Sequence, residues 1–338
     1  LLGRRGQALH YSPIWDGDKT RPCWFAGGLN VADFFGGLDA TYHDDDAFGK
    51  AFEEYRRQAE RRIAEDVCYL GLFVGHPTRV VHHSFWDINN FADGQVTPRH
   101  RLQMPEAITV SQEQTARKNV RRVIEWAAAD ERFKVIGFSD LVARYTAQIP
   151  GVSREEVKAV AERVADHHAV IHTDLLTAAE IMGLMLDYLA DETASHFARA
   201  ELMSPERLPE ELEPIEVTAD DLRATVPVVK AQMQASGHVP AAVPVGDRQL
   251  HASEYFVGLA LLIAGRPGPD ALTLDVSEPY PAVADRLVEK VEQRIRGWSI
   301  HPPDMDLSWI FAETRLLSWT FKPAWTRQEL AAKHSSTL

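Results

Sequence analysis

Cysteine is scarce in this chain of 338 residues, which contains only Cys23 and Cys68. Two cysteines cannot build a disulfide framework or a zinc site made of thiolates, and they leave open one disulfide or two reduced thiols. A long apolar run is also lacking, since the longest, from Tyr255 to Ala264, is about half of the ~20 residues that cross a bilayer. We therefore predict a chain without a transmembrane helix.

The chain also has fewer basic than acidic side chains, with 36 lysine and arginine residues and 49 aspartate and glutamate residues. The net charge of −13 disfavours nucleic acids and anionic membrane surfaces as partners. The sequence also lacks the glycine motifs that bind nucleotides and the elbow that carries a nucleophilic serine. Its length and its 45% of hydrophobic residues are sufficient for two domains, each with a core of its own.

The first predicted domain, residues 1–149, alternates strand-like and helix-like segments, which is typical of an α/β layer or barrel. One helix is predicted from Asp44–Asp46 to about Glu65, and another after a capping box of Ser111 and Gln114. Buried strands are predicted at Val67–Val74 and at Phe133–Phe138.

The second predicted domain, residues 150–338, is mainly α-helical, with two similar helix modules at about 153–200 and 218–325. Leu176–Ala190 aligns with Leu250–Ala264, and in both segments a polar cap with a glutamate in the first turn precedes an apolar helix. An ordinary helical domain with two similar helices is the alternative to a true repeat.

The strongest candidate for chemistry is His76, which follows an apolar run in the sequence Gly75-His76-Pro77. This pattern predicts a buried strand that places one imidazole at its C-terminal end, where α/β barrels hold their active sites. Trp15, Trp24 and Trp86 fall in predicted loops, where they either stack on sugar rings or fill the core.

The order of several motifs resembles the polysaccharide deacetylase (NodB-like) family over roughly residues 1–148. These motifs are Trp24–Asn30, Gly75-His76-Pro77, Phe85-Trp86-Asp87 with Asn90, and Ser139-Asp140-Leu141. The resemblance implies an α/β fold with a partial or irregular (β/α) barrel, followed by the helical domain. It implies that His76 protonates the leaving group and that an aspartate orients its ring, for which Asp16 is the candidate. The predicted substrate contacts are Trp15, Trp24, Asn30, Trp86, Asp87 and Asn90.

The metal ligands of that family are not found in this sequence. A complete member holds a divalent metal such as zinc with an Asp-Asp pair and a His-x-x-x-His pair, and both belong upstream of residue 1. One His-x-x-x-His pair, His168 and His172, occurs later, where it either shares a metal on one helix face or forms a solvated helix end. We therefore leave the metal ligands unassigned.

Two functions follow from the resemblance. The first is a deacetylase-like protein that acts on cell-envelope glycans, with metal-dependent N- or O-deacetylation where the complete site exists. The second is a non-catalytic protein that binds glycans or a cell-wall polymer and is built on a barrel remnant. The helical domain resembles pseudomurein-binding repeats, and the family implies a location outside the cytoplasm or in the envelope.

Overall fold

A computed structural model describes residues 22–30, 34–35, 37–64, 71–72, 75–83, 98–146, 151–209, 212–266, 271–296 and 304–336. Its helices are α1 (Asp45–Ala64), α2 (Val110–Ala129), α3 (Phe138–Arg144), α4 (Arg154–His167), α5 (Ala178–Ala190), α6 (Ala219–Ser236), α7 (Ala252–Ala264), α8 (Ala284–Arg296), α9 (Ser308–Leu317) and α10 (Arg327–Ser336). Within these ranges no helix is both long and apolar enough to span a membrane, in agreement with the prediction from hydropathy.

The strands are short and lie between the helices. They are β1 (Cys23–Phe25), β2 (Gly28–Asn30), β3 (Phe34–Phe35), β4 (Gly71–Leu72), β5 (Tyr145–Thr146), β6 (Val152–Ser153), β7 (His196–Phe197), β8 (Ile215–Val217), β9 (Ala242–Val245), β10 (Arg248–His251), β11 (Leu272–Leu274), β12 (Lys322–Pro323) and β13 (Trp325–Thr326). They pair into sheets of two or three strands, which confirms a mixed fold of helices and strands. The described strands form no closed barrel, so the barrel stays a prediction.

A β/α unit forms the first part of the described chain. Strands β3 and β4 are parallel, with Phe34 opposite Gly71 and Phe35 opposite Leu72. Parallel neighbours need a crossover, and α1 lies between them in the sequence. The apolar side of α1, including Phe48 and Phe52, packs against α2. The helix begins as predicted, because Asp44 Oδ1 accepts the backbone N–H groups of the first turn.

Two predictions next to α2 are wrong. The capping box consists of Thr109 and Gln112 rather than Ser111 and Gln114, so the helix begins two residues earlier. The segment before α2 is held in place by a backbone hydrogen bond, because the N–H of Ile108 donates to the carbonyl oxygen of Val81. The predicted strand Phe133–Phe138 is an irregular segment that leads into α3.

The second part of the chain has the largest core, which α4, α5, α6 and α7 form together. Helices α5 and α7 are the aligned segments, and both are capped in the same way. Glu180 Oε2 accepts the Thr177 N–H at 2.9 Å, and Glu254 Oε2 accepts the His251 N–H at 2.6 Å. The hairpin of β9 and β10 leads directly into α7.

The C-terminal strands lie against the first part of the chain. Strand β12 pairs with β1 and thereby extends the β1–β2 hairpin to three strands, while β13 pairs with β5. The hairpin turn consists of Ala26 and Gly27, both at positive φ (+54° and +73°), which is the two-residue turn that suits twisted strands. These pairings cross the predicted boundary at residue 149, and the division into domains stays a prediction.

Candidate functional site

Asp39 and His76 meet at one end of the parallel pair β3–β4. Asp39 follows Phe35 by four residues, and His76 follows Leu72, the register partner of Phe35, by the same four residues. Since the carboxyl ends of parallel strands lie at one edge, this equal offset brings the two side chains together. Nδ1 of His76 lies 2.6 Å from Oδ2 of Asp39.

The carboxylate of Asp39 holds His76 at two points. Oδ2 also accepts the backbone N–H of His76 at 3.3 Å. We assign the ring proton to Nδ1 from this hydrogen bond. The His76 side chain is 42% exposed and that of Asp39 is 15% exposed. A ring that a carboxylate orients and that still reaches solvent is the arrangement that a general acid or base requires.

Gly75 allows this close approach. Its φ is +148°, and a Cβ atom at this position would lie 2.5 Å from the Tyr42 hydroxyl and 2.6 Å from Cβ of Asp39. No side chain fits between those atoms. Tyr42 is buried, and burial together with the negative charge of Asp39 raises the pKa of its phenol, so the hydroxyl stays neutral beside the carboxylate.

Three further histidines lie near His76 and contact the backbone or each other. His43 Nε2 is 2.6 Å from the Arg79 carbonyl oxygen, and the rings of His43 and His83 meet edge to face at 5.3 Å. His82 Nδ1 is 3.3 Å from the Glu106 carbonyl oxygen. In the described ranges no three histidine, cysteine or acidic side chains converge as metal ligands, so these residues do not fit the zinc centre that the resemblance implies.

Several predicted site residues lie outside the described residues, namely Trp15, Asp16, Trp86, Asp87 and Asn90. Asp39 was not among the predicted residues, although it occupies the orienting position for which Asp16 was the candidate. Asp39 and His76 lie equally far beyond the ends of two strands. This equal offset can be found from the sequence only if Phe34–Phe35 is predicted to be a strand.

Trp24 and Asn30 belong to the β1–β2–β12 sheet. Asn30 is buried, and its Nδ2 donates to the carbonyl oxygens of Phe25 (3.1 Å) and Gly28 (3.0 Å), which stabilises the hairpin. Trp24 is half-buried in a small apolar cluster that includes Leu29 and Tyr145. The structure therefore gives both residues packing contacts at this sheet, whereas His76 lies at the β3–β4 edge.

The pair His168 and His172 does not share a helix face, which contradicts the helical metal-site alternative. Helix α4 ends at His167, and His168 has a positive φ of +49°. Ser277 explains this end, because its hydroxyl donates to the carbonyl oxygens of His167 and His168 at 3.0 Å and 3.1 Å. The His172 ring packs edge to face on Phe321 at 5.2 Å, and burial lowers its pKa.

A second group of interacting charges is buried at the N-terminus of α5. Lys322 Nζ lies 2.9 Å and 3.0 Å from the two carboxylate oxygens of Glu180, and Nη1 of Arg199 contacts Oε1 of the same carboxylate. None of the three side chains is more than 5% exposed. Burial, together with the nearby positive charge of Arg199, lowers the pKa of Lys322 to about 8, although Glu180 opposes the shift. The sequence around Glu180 indicates only a helix cap.

Comparisons with protein-family models, with curated proteins and with solved structures gave no match for this chain. The candidate residues therefore have to be interpreted from their own geometry. The structure offers two such sites: the half-exposed pair Asp39–His76, and the buried Glu180–Arg199–Lys322 cluster.

Proposed function

We propose that Asp39 and His76 are the acid–base pair of a deacetylase-like hydrolase that acts on cell-envelope glycans. The observation that carries the proposal is the 2.6 Å contact between His76 Nδ1 and Asp39 Oδ2 at the shared end of two parallel strands. The substrate class comes from the resemblance, which assigns proton donation to a strand-end histidine supported by an aspartate.

The reaction is the hydrolysis of an N- or O-acetyl group. Water adds to the acetyl carbonyl and releases its two protons to the solvent, and the bond from that carbon to the sugar nitrogen or oxygen breaks. Protonated His76 donates its Nε2 proton to the departing nitrogen or oxygen, so that acetate and the free sugar amine or hydroxyl result. Asp39 keeps the ring oriented and stabilises its positive charge. We assign no step to a metal, because the described residues do not supply a set of ligands.

The test is acetate release from the hexamer of N-acetylglucosamine and from an O-acetylated xylan, with and without added zinc. We expect release by the full chain and a loss of about 10²–10⁴-fold in kcat for His76→Gln, the usual contribution of one acid–base group. Asp39→Asn should reduce kcat while KM changes little, because the carboxylate acts through the histidine and does not touch the glycan.

The matched control is His100→Gln, which removes an exposed histidine from the turn Arg99–Arg101 and should leave the rate unchanged. Equal rates for His76→Gln and the original chain would refute the role of His76. Tight glycan binding without any acetate release would refute the hydrolase and support the non-catalytic glycan-binding alternative.

A further inference from the structure

The buried cluster at α5 contains a guanidinium whose N–H groups are only partly satisfied. Arg199 and Lys322 both contact Glu180, so two cations share one buried carboxylate. A second carboxylate, Glu201, comes only within 3.9 Å of Arg199 Nη2, and its side chain is 63% exposed. A buried guanidinium with N–H groups that lack acceptors is unfavourable in a medium of low dielectric constant, so this position favours an additional anion.

One side of Arg199 contacts Glu180, and the other side, here called its open side, has no hydrogen-bond acceptor. Its Nη1 contacts Glu180, whereas Nε and Nη2 are buried and make no hydrogen bond to any described residue. These two N–H groups point in the same direction from the planar guanidinium, with the spacing of the two oxygens of a carboxylate. A charged donor pair that is buried without an acceptor is costly, which indicates that an acceptor belongs there.

The chain on either side of Arg199 is exposed, although the guanidinium itself is buried. The Arg199 side chain is 1% exposed, yet its chain neighbours Ala198, Ala200 and Glu201 are exposed. The exposed side chain of Glu201 would compete with an added anion. Because the guanidinium itself is buried, a small ligand fits this position better than a large one.

We propose that the open side of Arg199 is a binding site for a small carboxylate of the size of acetate. The two carboxylate oxygens accept hydrogen bonds from Nε and Nη2, and Lys322, which contacts the same Glu180 carboxylate as Arg199, contributes further positive charge. Glu201 competes for the same N–H groups and limits the affinity. The site is independent of the Asp39–His76 pair and stands whether or not that pair is catalytic.

The protonation of Lys322 offers a readout that a purely structural cluster would not give. Burial and Arg199 lower its pKa to about 8, so near this pH a fraction of the amine is neutral. A bound anion favours the charged amine, and acetate binding at pH 8 should therefore be accompanied by proton uptake. Isothermal titration calorimetry in two buffers of different ionisation enthalpy measures that uptake.

The direct test follows the Nε–H signal of Arg199 by ¹H–¹⁵N NMR of the full chain labelled at arginine. Sodium acetate is titrated against sodium chloride at equal ionic strength, and Arg199→Lys identifies the signal by its loss. We expect a saturable shift with acetate and none with chloride. Glu201→Gln should tighten acetate binding about tenfold, the equivalent of one charge-assisted hydrogen bond.

The control variant is Glu192→Gln, which removes an exposed carboxylate from the loop after α5 and should leave the affinity for acetate unchanged. A response to acetate no larger than that to chloride would overturn the proposal. So would an unchanged affinity in Glu201→Gln, a surface variant that decides the question even if Arg199→Lys does not fold.

Discussion

The two aligned helices allow a sharp test of what the buried charge cluster contributes to stability. Glu180 and Glu254 occupy the same capping position at the start of α5 and α7, and both are buried. Glu180 also contacts two cations, whereas the hydrogen bond that the structure gives Glu254 comes from the His251 backbone. Replacing either glutamate by glutamine keeps an oxygen for the cap, so the two variants differ mainly in the charge that they remove.

The expected losses differ by several kcal/mol. Glu180→Gln leaves Arg199, which cannot lose its proton, buried without its closest counter-charge, and breaking such a buried pair costs about 3–5 kcal/mol. Lys322 limits the loss by releasing its own proton. Burial raises the pKa of Glu254, so its charged form is already disfavoured in the folded state, and Glu254→Gln should change stability by about 1 kcal/mol or less.

The assay is urea unfolding at pH 7, followed by circular dichroism and tryptophan fluorescence. With a slope of about 3 kcal/mol/M, a loss of 3 kcal/mol lowers the urea midpoint by about 1 M. We expect that shift for Glu180→Gln and a shift of about 0.3 M or less for Glu254→Gln. Equal midpoints for the two variants would refute the reasoning, because the cluster would then contribute no more than an ordinary helix cap.

Two further predictions concern Gly75 and Lys322. Gly75→Ala should destabilise the fold by about 1–3 kcal/mol and displace Asp39 from His76, because the new Cβ atom would collide with Tyr42 and Asp39. Gly49→Ala in α1 places its Cβ atom in open space and should stabilise the fold by up to about 1 kcal/mol. Thermal unfolding of both variants distinguishes these outcomes, and equal effects would contradict the proposed packing. Between pH 8 and 10.5 the unfolded chain holds the Lys322 proton more tightly than the folded chain, so stability should rise with pH. Urea unfolding across that range should show a flatter profile for Lys322→Gln, and an unchanged slope would contradict the assignment.

Local patterns specify where several helices of the second region begin. Ser153, Thr177 and Thr218 each accept the backbone N–H three residues later, so the start of α4, α5 and α6 is specified within one turn. The end of α4 is different, because no glycine or proline follows it and its last carbonyl oxygens are capped by Ser277, about 110 residues away. A search for short-range stop signals cannot find such a partner.

The candidate sites were harder to predict for the same reason. His76 stands out in the sequence because a glycine and a proline flank it, but its partner Asp39 lies 37 residues earlier in an unremarkable turn. Lys322 is 142 residues from Glu180, and no local sequence pattern around either residue predicts their contact. Strands β3 and β4 are only two residues long, so the parallel pairing that unites Asp39 and His76 has little signal of its own.

The return of β12 to β1 has a consequence for the order in which the protein folds during synthesis. The backbone N–H of Ala26 donates to the Thr320 hydroxyl at 2.7 Å across 294 residues of chain. At about 5–20 residues per second, the hairpin waits roughly 15–60 s for this partner. During that time the apolar side chains of Cys23 and Phe25 cannot yet pack against Leu287, Leu317 and Phe321, which are synthesised later. The three-stranded sheet therefore closes late, and nascent chains should depend on chaperones until it does.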